Sequence, residues 1–367
     1  MKQELYLNSF HSVSPPHRIP QEDLLKWVMK AHLKSCQLRG DSKEAERLER
    51  VLPRFSVGAK YIGHRYFECD DLDDNWPNHG IYHFSETTPF GASIADRNRF
   101  FSLKAQKIVK ELYQDHDPNH VIHVTCTGYI SPDPIQSFFS TKARSPEITH
   151  AYHMGCYASL PAIRMAMGLC SLSEAEVDIL NTEMCGLHMN PSIHTPEQIV
   201  VQTLFADGHI KYCVGHKRGG FRILSIKEKL IPDTQTEMSW IPDAFGMQMT
   251  LSREVPRSIR SKVRDFIREL CDQSRMSEEE VLKEAVFAIH PGGPRIIEGI
   301  EEELNLTEDQ VKHGKEILFE RGNMSSSTLP HIWERIQSKN YPRGTKIVSL
   351  AFGPGLTIFG AIFMVEG

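Results

Sequence analysis

The chain has 367 residues, a formal net charge of −5 and eight cysteines. A chain of this length can bury a large apolar core without disulfides or structural metals, and its mild negative charge gives no basic surface for nucleic acid or an anionic membrane. No run of about 18 apolar residues predicts a membrane span. The first residues also lack the basic flank and apolar core of a signal peptide, so we predict a cytoplasmic protein with neither nucleic acid nor membrane as a partner.

Helical and strand patterns alternate along the chain, which favours an α/β fold. Helical periodicity predicts helices over 21–36, 43–52, 96–115, 196–205, 256–273 and 308–322. Short β-rich apolar runs predict strands over 121–128, 177–181, 210–216, 221–226, 286–290 and 346–355. Ser277 with Glu280 and Thr307 with Gln310 have the spacing of a capping box, so we interpret them as helix starts.

Cys156 lies at the start of an almost entirely apolar stretch, HMGCYASLPAIRMAMGL (153–169). Pro161 is tolerated only in the first turn of a helix, so this helix should begin within a few residues of Cys156. The thiol would then face the positive end of a helix dipole, which lowers a cysteine pKa and favours the nucleophilic thiolate. The other cysteines are scattered without a CxxC pair, and we expect most of them to be reduced, buried and inert.

A thiolate nucleophile needs a partner for its charge or proton, and acyl transfer needs donors aimed at the developing oxyanion. His290 follows a predicted strand and precedes Pro-Gly-Gly-Pro, which predicts an irregular backbone rather than a helix. Asn323 stands between a helix end and a run of small polar residues. Taken singly, each residue is more often a satisfied structural group than a catalytic one.

Four segments together resemble, in order, the nucleophile, histidine, asparagine and C-terminal loop motifs of the type III polyketide synthases, which include chalcone and stilbene synthases. They are GCYASLPAIRMA, AIHPGGPRII, GNMSSS and AFGPGL. The resemblance runs from about Tyr61 to the C-terminus. It implies a thiolase-like α/β fold of two similar halves in a layered α-β-α-β-α arrangement. It implies a first half over 1–217, a second over 218–367, and a homodimer.

The resemblance also implies an acyltransferase with Cys156, His290 and Asn323 as its catalytic residues. Cys156 would accept the starter from an acyl-CoA while a protonated His290 stabilises the thiolate. His290 and Asn323 would then donate hydrogen bonds to the malonyl-CoA thioester carbonyl, stabilising the enolate formed on decarboxylation. The product would be cyclised, as a pyrone or resorcinol. Coenzyme A thioesters are the implied substrates, with no metal and no organic cofactor.

By the same resemblance, Phe205 occupies a gatekeeper position between substrate tunnel and cavity, and Met249 replaces an aromatic residue at a second one. Trp240 falls where the family usually has glycine, which would reduce the cavity volume. Ser131 stands where many relatives insert a methionine into the partner's cavity. Other positions implied to bind substrate are Cys126, Thr127, Cys185, Leu187, His188 and Ser325.

The family also uses basic residues to bind the coenzyme A phosphates, and this part of its pattern is matched only in part. Arg54, Lys60 and Arg65 are available, but their spacing does not match the family, and Arg295 falls at the expected tunnel mouth. This mismatch leaves an acyl carrier protein open as the donor.

Two other functions remain open. A stand-alone ketosynthase would join two acyl or β-ketoacyl chains from carrier protein or coenzyme A, for example to an α-pyrone. A non-catalytic chain-binding partner is disfavoured because the three catalytic residue types are retained.

Three local patterns have structural interpretations that we prefer. Cys185, His188 and His194 have zinc-ligand types but no evident fourth ligand. The glycines of 353–360 lack the GxGxxG spacing and predict a rigid Gly-Pro-Gly turn at the active-site floor. The acidic run 70–74 predicts a solvated loop rather than a cation site.

Overall fold

The computed structural model describes residues 4–366, in which strands and helices alternate along the chain. The strands are β1 (Tyr6–Val13), β2 (His17–Pro20), β3 (His64–Phe67), β4 (His120–Thr125), β5 (Glu147–Tyr152), β6 (Val177–Met184), β7 (Asp207–Gly215), β8 (Phe221–Leu230), β9 (Met238–Asp243), β10 (Gly246–Leu251), β11 (Val286–Ile289), β12 (Lys346–Gly353) and β13 (Thr357–Val365). The α-helices are α1 (Gln21–Leu38), α2 (Ser42–Phe55), α3 (Ile94–Tyr113), α4 (Pro134–Phe139), α5 (Ser159–Leu172), α6 (Pro196–Leu204), α7 (Val255–Ser274), α8 (Glu278–Glu284), α9 (Pro294–Leu304), α10 (Glu308–Arg321) and α11 (Thr328–Ser338).

Each helix and strand predicted from periodicity is present, with its ends moved by a few residues. The prediction of irregular backbone after His290 holds only as far as Gly293, because α9 begins at Pro294. Proline suits this first position, where its missing N–H has no partner within the helix. The predicted capping box of Thr307 and Gln310 is confirmed in both directions, whereas Ser277 is seen only to accept from the backbone N–H of Glu280.

One nine-stranded sheet runs in the order β11-β12-β13-β8-β1-β7-β6-β4-β5. Its two ends are parallel, β11 with β12 and β4 with both β5 and β6, while the strands between them pair antiparallel. At the junction β1 pairs along β7 but meets β8 only at Tyr6 and Leu7. The N-terminal strand thus joins a group of strands from 6–215 to a group from 221–365.

The helices α5 and α11 form the central layer. Ile163 of α5 and Trp333 of α11 share one apolar cluster with Ile122 of β4 and Phe359 of β13, so strands of both groups cover these helices. Two separate clusters pack the outer faces, as the alternation of strand side chains requires. Val121 faces α3 on one side, and on the other Val348 of β12 faces α7 and α9.

The order is therefore outer helices, first group of strands, central helices α5 and α11, second group of strands and outer helices. These five layers agree with the predicted α-β-α-β-α arrangement. The division of the chain at residue 217 stays a prediction. Among the helices of residues 4–366, none combines the length and apolar character needed to cross a bilayer.

The acidic run 70–74 is only partly a solvated loop. Asp71 is buried, and its carboxylate accepts hydrogen bonds from the backbone N–H groups of Gly80, Ile81 and Tyr82. The prediction is therefore wrong for Asp71, which organises the following loop because three donors stabilise its buried charge.

Candidate active site

Cys156 lies in the turn that leads into α5, with Pro161 in the first turn of the helix as predicted. Its Sγ is 3.8 Å from Oγ of Ser325, and the residue is only 8% exposed. The preceding Gly155 has a φ of +88°, and a Cβ there would lie 2.7 Å from Cδ of Pro354. Glycine is therefore required where this turn packs against the turn between β12 and β13.

His290 directly follows β11, and its backbone N–H donates to the carbonyl of Leu350 at 2.8 Å. The side chain is 1% exposed, and neither ring nitrogen has a hydrogen-bond partner within residues 4–366. Because most buried polar groups are paired, a buried imidazole with both nitrogens free indicates a binding position.

Asn323 follows α10, and its side chain is fully buried. Oδ1 accepts hydrogen bonds from the backbone N–H of Ser325 at 2.9 Å and from Thr328 Oγ1 at 3.4 Å. The first of these bonds fixes the orientation of the amide, since a carboxamide nitrogen cannot accept it. Nδ2 is then left as a donor without a partner among the described residues.

Burial controls the charge of the site. It raises the pKa of the Cys156 thiol to about 12, although the hydrogen bond with Ser325 acts in the opposite direction. Burial also lowers the pKa of His290 to about 3. Desolvation of both groups thus acts against the predicted thiolate beside a protonated histidine, and it favours a neutral thiol and a neutral imidazole in this structure.

Cys156, His290 and Asn323 line one open cleft of about 430 Å³. Behind it lies a small inner pocket of about 20 Å³ whose wall includes Cys126, Cys185, Trp240, Ser325 and Pro354. The residues shared by both spaces are Cys156, Phe205, Met238 and Met249. The cleft and the pocket thus meet at the thiol and at the two predicted gatekeeper positions.

Sequence reasoning missed Met238, which is two residues before Trp240 on β9. Side chains two apart on a strand share a face, so this spacing was a usable signal. In the pairing of β9 with β10, Trp240 lies opposite Met249.

Three predicted cavity residues lie behind the wall of the inner pocket. Thr127 donates its hydroxyl to Glu183 at 2.8 Å, and Leu187 is fully buried in an apolar cluster. His188 Nε2 donates to the carbonyl of Thr127 at 2.8 Å, and Nδ1 accepts from the N–H of Met247 at 3.1 Å. The prediction that these side chains line the inner pocket is thus wrong. Thr127 and His188 use their polar atoms in internal hydrogen bonds, and Leu187 packs in an apolar cluster.

The zinc interpretation has no support from the geometry. Both ring nitrogens of His188 are occupied, and those of His194 contact Glu44 and the carbonyl of Pro191. Within residues 4–366, one group of three side chains has metal-ligand types close together, namely Cys69, Asp70 and Asp71. None of the three lines the cleft or the inner pocket.

The four residues predicted to contact phosphate differ in their exposure and in whether they line the cleft. Arg54 and Arg295 are exposed and line the cleft, together with Arg253, which the sequence motifs did not indicate. Lys60 is exposed and places Nζ over the ring of Tyr61, outside the cleft wall. The prediction for Arg65 is wrong, because its guanidinium is buried and donates to Gln21, Gln202 and Phe205.

Comparisons with known proteins agree with the motifs. Residues 222–365 match the family described as chalcone and stilbene synthases, C-terminal domain. The chain is 29% identical over 255 residues to probable polyketide synthase 1 of Dictyostelium discoideum, an alignment that covers 66% of this chain and 8% of that protein. It is 26% identical over 257 residues to type III polyketide synthase C of Arabidopsis thaliana, covering 66% of each chain. The match thus spans less than two thirds of the length of these relatives.

Solved structures show the same fold. The C-terminal type III polyketide synthase domain of Steely1, a type I/III hybrid from Dictyostelium, superposes with a TM-score of 0.83 at 23% identity, covering 99% of this chain and 100% of that one. PKS-I from the brown alga Ectocarpus siliculosus superposes with a TM-score of 0.85 at 19% identity, covering 100% and 99%. The predicted thiolase-like fold class is thereby confirmed.

Proposed function

We propose that this chain, which belongs to the type III polyketide synthase family, condenses an acyl thioester starter with malonyl-CoA through an acyl group carried on Cys156. One observation carries the proposal. The ring nitrogens of His290 and Nδ2 of Asn323 are buried without partners in the cleft that Cys156 also lines. An unpaired buried polar group costs about 1–3 kcal/mol, so these groups suit partners that arrive with a substrate.

The first step is transfer of the starter. From the neutral pair that burial favours, His290 takes the proton of Cys156 as Sγ attacks the thioester carbonyl. The tetrahedral adduct then expels the coenzyme A thiolate, which takes that proton back from the imidazolium. The acyl group is left on Cys156 and His290 is neutral again.

The second step is condensation. Malonyl-CoA loses carbon dioxide, and the enolate oxygen accepts hydrogen bonds from a ring N–H of His290 and from Nδ2 of Asn323. The enolate carbon attacks the acyl carbonyl, and the bond to Sγ breaks to give a β-ketoacyl-CoA. The Cys156 thiolate then takes a proton from solvent water, which supplies the one proton that decarboxylation consumes. The hydrogen bond from Ser325 to Oδ1 supports this role by aiming the amide N–H₂ group into the cleft.

Coenzyme A is the proposed carrier because three exposed arginines, Arg54, Arg253 and Arg295, line the cleft. Guanidinium groups bind phosphate through paired charge-assisted hydrogen bonds. An acyl carrier protein, the homodimer, the cyclised product and the cytoplasmic location stay predictions.

Intact-mass measurement after exposure to a set of acyl-CoA starters tests the nucleophile. We expect one acyl adduct on the wild-type protein and none on Cys156→Ala. An adduct that persists on the variant contradicts the assignment. Running the same starters as carrier-protein thioesters tests the alternative ketosynthase, which is excluded by repeated turnover of acyl-CoA and malonyl-CoA alone.

Asn323→Asp tests the enolate donor, because aspartate keeps the acceptor at Oδ1 and lacks the N–H donor. We expect malonyl-CoA decarboxylation to fall by about two orders of magnitude or more, while acyl-adduct formation on Cys156 is retained. The matched control is Asn75→Asp at the surface, where Oδ1 also accepts a hydrogen bond. Unchanged decarboxylation by Asn323→Asp would remove this residue from the mechanism.

A further inference from the structure

Three of the free cysteines face the inner pocket. Cys126, Cys156 and Cys185 all contribute to its wall, and all three residues are buried. The pocket volume of about 20 Å³ is about the space that one enclosed water molecule needs. Three thiol side chains are therefore grouped around a space that holds one small molecule.

Of these three thiols, only that of Cys156 also lies on the wall of the open cleft. Cys126 and Cys185 contribute to the inner pocket and not to the cleft. A small reactive molecule that enters the cleft therefore meets Cys156 first. The two thiols behind it are placed to react with whatever Cys156 has formed.

Cys126 is the better placed of the two inner thiols. It comes directly after β4, and its Sγ accepts a hydrogen bond from the backbone N–H of Gly155 at 3.0 Å. Gly155 is bonded to Cys156, so this hydrogen bond holds Cys126 against the turn that carries the nucleophile. Within residues 4–366, no hydrogen bond joins the Cys185 side chain to that turn.

We propose that Cys156 and Cys126 form a reversible disulfide when a small-molecule disulfide enters the cleft. The thiolate of Cys156 attacks one sulfur of the oxidant, and the other sulfur leaves as a thiolate that takes up the Cys156 proton. The thiolate of Cys126 then attacks the Cys156 sulfur and expels the second small thiol in the same way. Two protein thiols are thus oxidised while one small disulfide is reduced to two thiols.

The disulfide acts as a switch on the nucleophile. It removes Sγ of Cys156 from the cleft chemistry, and a thiol reductant restores it. The N–H of Gly155 supports the second step, because it donates to the Cys126 sulfur that must become a thiolate. Capture by Cys126 also protects Cys156 from sulfinic and sulfonic acid formation, which thiol reductants do not reverse.

Exposure of the protein to bis(2-hydroxyethyl) disulfide at about pH 9 tests the pair, because a high pH supplies thiolate from a thiol whose pKa burial raises to about 12. The reaction is quenched with N-ethylmaleimide in denaturant and mapped without reductant. We expect the peptides of Cys126 and Cys156 to be joined by a disulfide, and dithiothreitol should separate them. No acyl or malonyl substrate is needed for this measurement.

Cys126→Ser removes the second thiol and changes the side-chain size little. We expect the mixed disulfide on Cys156 to be at least about tenfold more abundant on this variant than on the wild type, because only the wild type can resolve it. Cys185→Ser is the matched control, since Cys185 lines the same pocket, and it should keep the joined peptide. Cys126→Ala serves as a second variant if Cys126→Ser does not fold.

Three results overturn the proposal. They are equal amounts of mixed disulfide on the wild type and on a folded Cys126 variant, a wild-type peptide that joins Cys156 to Cys185, and unreacted thiols at both Cys126 and Cys156. Failure of the proposed function shows separately, as a missing acyl adduct on the reduced wild-type protein.

Discussion

At the scale of single residues, buried polar side chains near the site differ in whether they have hydrogen-bond partners within the protein. Glu183, buried beside the inner pocket, accepts hydrogen bonds from the N–H of Cys126 and the hydroxyls of Thr127 and Ser326. In the cleft, by contrast, His290 and Asn323 hold polar atoms with no partner in the described chain. Because folding normally pairs such groups, unpaired polar atoms that also line the cleft are suited to partners that a substrate supplies.

The ionisation of Cys156 gives a prediction at this scale. Because burial raises its thiol pKa to about 12, the rate of alkylation by iodoacetamide should rise about tenfold per pH unit between about pH 7 and pH 10 without reaching a plateau. Peptide mapping isolates this site from the other buried cysteines, and Cys156→Ala gives the background. A plateau below about pH 8 would instead mean that a thiolate and a protonated His290 form before substrate binds.

At the scale of elements, the residues of the site lie next to the ends of helices and strands. Cys156 precedes α5, His290 follows β11, and Asn323 follows α10. Asn323 is also held by its backbone, whose N–H donates to the carbonyl of Leu204 at 3.0 Å and whose carbonyl accepts from Ala206 at 2.8 Å. The end of α10 therefore places the asparagine beside Phe205, the predicted gatekeeper, which lies between those two partners.

The capping box of α10 gives a prediction at this scale. Thr307→Ala removes the side-chain acceptor for the N–H of Gln310 and is expected to lower the free energy of unfolding by about 1 kcal/mol. Urea denaturation measures the change. Thr307→Ser keeps the hydroxyl and should cost only a few tenths of that amount, so an equal loss in both variants would assign the effect to the threonine methyl group instead of the cap.

At the scale of the whole molecule, the site exists only where the two groups of strands meet. Cys156 comes from the first group, whereas His290, Asn323 and the turn containing Pro354 come from the second. The central helices α5 and α11 hold these parts together through one shared apolar cluster. The geometry of the cleft therefore depends on packing between segments that are far apart in sequence.

The contact of Gly155 with Pro354 gives a prediction at this scale. Gly155→Ala places a methyl 2.7 Å from Pro354 Cδ at a positive φ, so we expect a loss of at least about 1 kcal/mol in unfolding free energy and slower formation of the acyl adduct. The control is Gly168→Ala within α5, where a Cβ meets nothing within 4 Å. That substitution should be neutral or stabilising by up to about 1 kcal/mol, measured in the same assays.

The sequence by itself determined the alternation of helices and strands and the positions of Cys156, His290 and Asn323 relative to them. These features are local, since periodicity, proline position and capping residues act within a few residues of one another. The family resemblance also implied gatekeeper positions for Phe205 and Met249 and a cavity-lining position for Trp240. All three lie on the wall of the inner pocket.

The tertiary structure alone decided which polar groups are paired and which are enclosed. Burial acts against the expected charges of Cys156 and His290. It also removed Arg65 from the surface by giving its guanidinium partners on α1, on α6 and at Phe205. It also brought Arg253 to the cleft beside Arg54 and Arg295. Desolvation and hydrogen-bond pairing depend on neighbours from distant segments, and no local pattern in the sequence records them.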